Sequence, residues 1–81
     1  MAEMVKMPRL SDTMDDGIVV SWLKAEGDLV AKGEPLCEIE MDKATVTYDS
    51  PLSGRVVRHL CIEGAEVAVG APIAEIDVEG G

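Results

Sequence analysis

Few side chains in this sequence have the type and spacing to do chemistry. His59 is the only histidine, and it has no serine or cysteine partner at a motif spacing, so no catalytic triad is read around it. A half-exposed strand position is expected for it. Cys37 and Cys61 are the only cysteines and lack a CxxC spacing. Two reduced thiols are expected, Cys37 in the core and Cys61 nearer the surface. Asp12, Asp15 and Asp16 crowd the stretch "SDTMDDG", but their spacing is not that of a calcium loop, and a charged surface loop accounts for them. No catalytic residue and no metal ligand is assigned. One lysine is left. In "EMDKATVTYD", residues 40–49, Lys43 stands between Asp42 and Ala44 with strand-like sequence on either side. The chain has four lysines, and this one breaks an otherwise regular strand pair.

The elements that position this lysine follow from size and composition. Eighty-one residues make one small domain with a thin core. There are ten Val, five Ile and six Leu, against no Phe, one Trp and one Tyr. β-Branched aliphatics favour strands, and a core without Phe points to thin layers. The net charge of −9 argues against nucleic acid and against anionic membrane surfaces. No apolar run approaches the ~18 residues of a membrane span. The opening "MAEMVKMP" has no apolar signal core. A bacterial cytoplasm or a mitochondrial matrix is the expected location, and the isolated domain is expected to be a monomer.

The chain also repeats itself. Residues 17–44 set over residues 54–81, at a constant offset of 37, are identical at 12 of 28 positions. Ordinary residue usage gives roughly two. Gly17, Gly27, Gly33 and Pro35 recur as Gly54, Gly64, Gly70 and Pro72, and Val19, Val30 and Ile39 recur as Val56, Val67 and Ile76. Each half is too short to cover its own apolar face, so two halves related by an approximate two-fold axis are expected. Gly17, Gly27, Gly54 and Gly64 are expected at backbone conformations that a Cβ strains.

Within each half, turn signals cut short strands. "PLCEIEM" alternates, with Cys37, Ile39 and Met41 inward. "ATVTYD" alternates too, with Ala44, Val46 and Tyr48 inward. "EMVKMP" opens the chain as a strand that Pro8 ends. The count is about eight short strands with no helical period, hence an all-β sandwich or flattened barrel. In Val19–Leu23 both phases carry apolar residues, so the direction of Trp22 stays open. Both strands around "DK" keep their phase up to the pair. A hairpin there leaves Asp42 and Lys43 at its tip, with the Asp42 carboxylate placed to accept a nearby backbone N–H and the lysine amine in water. An exposed lysine on a turn carries no chemistry by position alone.

"EIEMDKATVTYDSPLSG" together with "MPRLSDTMDDGIVVSWLKAEGDLVAKGEPL" closely resembles the lipoyl domains of dihydrolipoyl acyltransferases, the core components of 2-oxo acid dehydrogenase complexes. The resemblance runs from Val5 to about Asp77, with Met41 where the family more often has Thr. It implies a flattened β-barrel or sandwich of two four-stranded antiparallel sheets, in agreement with the strand count. It implies that Lys43 carries lipoate through an amide on its ε-nitrogen, flanked by Asp42 and Ala44. It also implies that the loop Ser11, Asp12, Thr13, Met14, Asp15 and Asp16 lies near the hairpin and helps a partner recognise the domain. A lipoate ligase or lipoyl transferase would attach the group. A thiamine-diphosphate-dependent decarboxylase component would reductively acylate it. The acyltransferase catalytic domain would pass the acyl group to coenzyme A, and a flavin-dependent dihydrolipoyl dehydrogenase would reoxidise the arm. The domain is then a tethered carrier and not an enzyme, and its parent chain is an acyltransferase. The closeness of "LSDTM" and "DKATV" to pyruvate-type acyltransferases makes pyruvate the first substrate to consider, with acetoin or branched-chain relatives as alternatives.

Three other readings compete. Biotinyl domains share the fold, but their signature has Met on both sides of the modified lysine, where this chain has Asp42 and Ala44. The glycine-cleavage carrier is longer and has helical segments absent here. An interaction module with no modification is the third. Residues 1–79 are taken as the domain and residues 80–81 as the start of a linker.

Overall fold

A computed structural model of the chain describes residues 1–78. The expected linker start at residues 80–81 lies outside the described residues. Eight strands follow one another: β1 (Ala2–Lys6), β2 (Asp16–Trp22), β3 (Leu29–Val30), β4 (Pro35–Met41), β5 (Ala44–Asp49), β6 (Gly54–His59), β7 (Ala65–Ala68) and β8 (Pro72–Val78). They form two four-stranded antiparallel sheets, in the orders β1-β8-β6-β3 and β5-β4-β2-β7. The expected all-β fold is present in its sandwich form. Among the described residues each sheet keeps two open edges, so the sheets form a sandwich and not a closed barrel.

The internal repeat is visible in the register itself. Ile18 pairs with Glu40 and Val19 with Ile39; in the other sheet Arg55 pairs with Asp77 and Val56 with Ile76. Even the irregularities recur. The ladder slips between Val19 and Ser21, and again between Val56 and Arg58. An extra residue in one strand resets its alternation. That explains the two apolar phases of Val19–Leu23: Val19 is buried before the slip, and Trp22 packs half-buried against the core rim after it.

The core is aliphatic. Val19, Leu36, Cys37 and Ile39 from one sheet meet Val5, Val56, Ile73, Ala74 and Ile76 from the other, none more than 1% exposed. Each buried Val, Leu or Ile contributes about 1.5–3 kcal/mol. Simple alternation misses Leu36 and Ile73. The ladder slips between Pro35 and Cys37 and between Pro72 and Ala74, so two successive residues turn inward in each half. Ala44, expected inward, is exposed because it stands at the hairpin tip beyond the core, while Val46 and Tyr48 are half-buried as expected.

The recurring glycines divide by cause. Gly27 and Gly64 have φ of 94° and 90°, and each donates its N–H across to the other half, to Val56 and Val19 carbonyls at 2.7 Å. Gly17 and Gly54 are not at positive φ. Space decides there: a Cβ on Gly54 would run into the Asp77 carbonyl oxygen, and one on Gly17 into the Met14 methyl.

Candidate functional site

β4 and β5 pair residue for residue down to the tip, with Ile39 opposite Val46, Glu40 opposite Thr45 and Met41 opposite Ala44. Asp42 and Lys43 are the whole loop. Their φ values are 46° and 67°, and among the described residues they are the only non-glycine residues at positive φ. Two successive left-handed residues make the hairpin turn that matches sheet twist, and that turn is normally filled by Asn-Gly or Asp-Gly. A Cβ in this region costs roughly 1–2 kcal/mol, less for Asp. The turn therefore holds a lysine where glycine fits better. The bond expected from the Asp42 carboxylate to a nearby N–H is not made among the described residues. Such bonds occur at other turns, where Asp28 accepts from the Ala25 N–H at 2.9 Å and Glu34 from the Ala31 N–H at 2.8 Å.

Lys43 is exposed, and among the described residues no carboxylate lies within 4 Å of its amine. Lys24 differs: it bridges Glu34 at 3.5 Å. The Ala31 N–H, and then Lys24, hold the Glu34 carboxyl below its ordinary range.

A shallow cleft of about 180 Å³ lies beside Lys43, lined by Asp16, Ile18, Glu40, Met41, Asp42 and Glu66 among others. Sequence reasoning singled out neither Glu40 nor Glu66. The signal lay in the repeat. Glu40, Ile18 and Glu66 sit side by side across β4, β2 and β7. The equivalent row in the other half is Asp77, Arg55 and Leu29. The lysine end thus has two acids around an aliphatic residue where its counterpart has a cation.

Ten residues separate Lys6 from Gly17, and four separate the equivalent Asp49 from Gly54. The extra length is the predicted recognition loop, and its members part company. Asp16 opens β2 and lines the lysine cleft. Asp12, Thr13 and Asp15 are exposed but do not line it, and Ser11 is half-buried. Met14 corrects the expectation of a surface residue. It is 3% exposed, packed into the core, with its sulfur accepting the Leu10 N–H at 3.2 Å and its carbonyl accepting Arg9 Nη1 at 2.8 Å. Met14 anchors the loop; it does not present surface to a partner.

His59 offers no catalytic arrangement. Its Nε2 lies 2.8 Å from the Lys24 carbonyl, which can only accept, so that nitrogen carries the proton. Cys61 and His59 line a second surface cleft, away from Lys43, but burial pushes the Cys61 thiol up, the reverse of an activated nucleophile. Cys37 is fully buried, and burial, then Cys61, pushes its thiol up to about 12.

Comparison with known proteins bears on the chain as a whole. A family model described as biotin-requiring enzyme matches residues 3–76. The mitochondrial dihydrolipoyllysine-residue acetyltransferase component of the pyruvate dehydrogenase complex of Caenorhabditis elegans is 54% identical over 50 residues, which is 62% of this chain and 10% of that protein. The mitochondrial pyruvate dehydrogenase protein X component of Mus musculus is 56% identical over 46 residues, 57% of this chain and 9% of that protein. The chain thus spans about a tenth of the length of these relatives. The solution structure of the lipoyl domain of the 2-oxoglutarate dehydrogenase complex of Azotobacter vinelandii matches with a TM-score of 0.75 at 28% identity, covering 96% of this chain and 98% of that one.

Proposed function

The chain belongs to the biotin and lipoyl attachment family, and we propose that it is a lipoyl carrier domain of a dihydrolipoyl acyltransferase, with lipoate joined by an amide to Lys43. The observation that carries the reading is the placement of Lys43: an exposed amine, free of carboxylate partners among the described residues, on a two-residue turn strained to hold it. A primary amine in that position fits an acyl group. When bound, the lipoyl group supplies a disulfide that takes up an acyl group with two electrons and gives both on.

The chain's own residues do three things. The β4–β5 ladder holds the attachment point rigid. The tip position leaves the arm free of neighbouring walls, so that it can enter several different active sites. Tethering raises the local concentration of the reacting group at each of them. Asp42 and Ala44, in place of flanking methionines, favour lipoate over biotin, and the lipoyl names of the similar proteins support the same choice.

The partners follow from that role: a lipoate ligase or lipoyl transferase, a thiamine-diphosphate decarboxylase component, the acyltransferase catalytic domain with coenzyme A, and a flavin-dependent dihydrolipoyl dehydrogenase. Relatives named for the pyruvate dehydrogenase complex favour pyruvate as the 2-oxo acid, and they include mitochondrial and bacterial proteins. We place the recognition of the decarboxylase on the exposed part of the Ser11–Asp16 loop and on Asp42–Ala44. The test is transfer. The lipoylated domain is incubated with a pyruvate decarboxylase component and labelled pyruvate, and the label should appear on the domain. Labelling with another 2-oxo acid or acetoin and its own decarboxylase component instead would reassign the complex, and no labelling with any of them would remove the carrier role.

A further inference from the structure

The four open edges of the two sheets differ in kind. β3 has two residues and β7 four, too short to template another strand. β1 carries Glu3 and Lys6, the charges that natural sheets place on edges to prevent pairing. β5 is the least guarded: its one charge, Asp49, stands at the end far from the hairpin. It has six residues, no proline, glycine or lysine, and its ladder with β4 runs without a slip from Ala44 to Tyr48.

The hairpin geometry states which backbone groups are open. In a two-residue hairpin the residues flanking the loop, here Met41 and Ala44, exchange both hydrogen bonds. The alternation then directs Ala44, Val46 and Tyr48 at β4. It directs the N–H and C=O of Thr45 and Thr47 away from the sheet. Among the described residues no element pairs with that side of β5. The side chains of Thr45 and Thr47 are exposed, neutral and β-branched, suited to a neighbouring strand.

From this we infer that the free edge of β5 docks an extended segment of the enzyme that forms the amide on Lys43, adding a strand to the sheet. The inference rests on the reading of Lys43 as the attachment point. Two features select this occupant. First, a paired strand fixes register from a point two residues along the chain from Lys43. Second, the bond is made at Nζ, on a stem of only four carbons. An enzyme that joins Nζ to an activated acyl carbon must therefore come up to the hairpin itself. The activating group leaves with its bonding electrons and the amine gives up a proton. Enzymes that react at the far end of the finished arm work an arm's length from Nζ, and the loop and hairpin-tip surface assigned above to the decarboxylase serves them without a paired strand.

The repeat supplies a matched control. Met4 on β1 is the counterpart of Thr47: Met4 pairs with Glu75 as Thr47 pairs with Glu38. Thr47→Pro removes an outward donor and keeps the bonds to β4, which is where edge strands tolerate proline. With a lipoate ligase, ATP and lipoate, Thr47→Pro should raise KM at least about tenfold. Thr47→Ala, which keeps the N–H, and Met4→Pro should stay within about twofold of the parent. A folded Thr47→Pro domain modified like the parent would overturn the inference while leaving Lys43 as the site. A parent never modified at Lys43 would overturn both. Hydrogen exchange gives the same answer without mutation: the Thr45 and Thr47 amides should exchange fast in the free domain and slow at least about tenfold with saturating ligase. Unchanged exchange in the complex, or protection already present in the free domain through pairing of two copies, would overturn it.

Discussion

Trp22 and His59 stack face to face, with ring centroids 4.0 Å apart and planes 4° from parallel. They occupy the same position in the two halves of the repeat. Each is also held by the other half. The Trp22 N–H donates to a Glu63 carboxylate oxygen and the His59 N–H to one of Glu26, both at 2.8 Å. The Trp22 indole N–H donates to the Cys61 carbonyl at 3.2 Å, as His59 Nε2 does to that of Lys24. This reciprocal set closes the seam between the halves. A stacked pair adds about 0.5–1.5 kcal/mol beyond its buried area, and a net hydrogen bond about 1 kcal/mol. His59→Ala should therefore lower stability by about 1–2 kcal/mol, with a melting point down several degrees and a changed Trp22 emission. An unaltered melting curve would show that the stack is incidental.

The Lys43 turn makes a prediction of opposite sign. Lys43→Gly removes the attachment point and also the left-handed strain. Melting followed by circular dichroism should show a gain of about 1 kcal/mol, or roughly 4–8 °C for a domain of this size. Lys43→Val should lose stability, because a β-branched residue fits that φ worst. A destabilised glycine variant would contradict the turn geometry.

Alkaline pH should weaken the fold through Cys37. Its thiol is pushed up to about 12 by burial, and burial also raises Tyr48. An unfolded cysteine titrates near ~8.5. With the folded value above the unfolded one, the folded state keeps its proton longer. That stabilising contribution is complete below about pH 8.5 and is lost as pH rises toward 12. Urea midpoints measured from pH 8 to 11 should fall less steeply for Cys37→Ala than for the parent. Iodoacetamide should reach Cys61 well before Cys37.

The long loop separates into an anchor and a surface. Met14→Ala opens a cavity in the core and should cost about 2–5 kcal/mol. For the same reason, cutting "SDTMDDG" to the length of "SPLSG" removes a core side chain along with the loop. The cleaner recognition test is Asp12→Asn with Asp15→Asn, two exposed acids. The pair should leave melting unchanged and lower kcat/KM for reductive acylation about tenfold, a defect that shrinks in high salt. Parent-like acylation would move recognition to the hairpin alone.

Much of this architecture is legible in the sequence because the repeat states it twice. The strand count, the pairing of halves, the hairpin at "DK" and the turns at Gly27 and Gly64 all follow from an offset of 37 and a period of two. The bulges after Val19 and Val56 are not legible, since an extra residue in a β-branched run leaves the composition unchanged. Neither is the backbone at Asp42 and Lys43, because the glycine that usually announces that turn is absent. Met14 reads as surface because acids surround it in sequence, while in space it faces Gly17 and the core. Glu66 joins the lysine cleft only through the pairing of β7 with β2, a contact that no local pattern encodes.

The central claim is that Lys43, alone among four lysines, carries lipoate. Its most direct test is intact mass and peptide mapping of the domain after incubation with a lipoate ligase, lipoate and ATP, with the Lys43→Arg variant alongside. The parent should gain a single lipoyl group, mapped to Lys43, and the variant should gain none while melting like the parent. Lipoate found on Lys6, Lys24 or Lys32, biotin accepted in its place from a biotin ligase, or a parent that gains no mass at all would contradict the account.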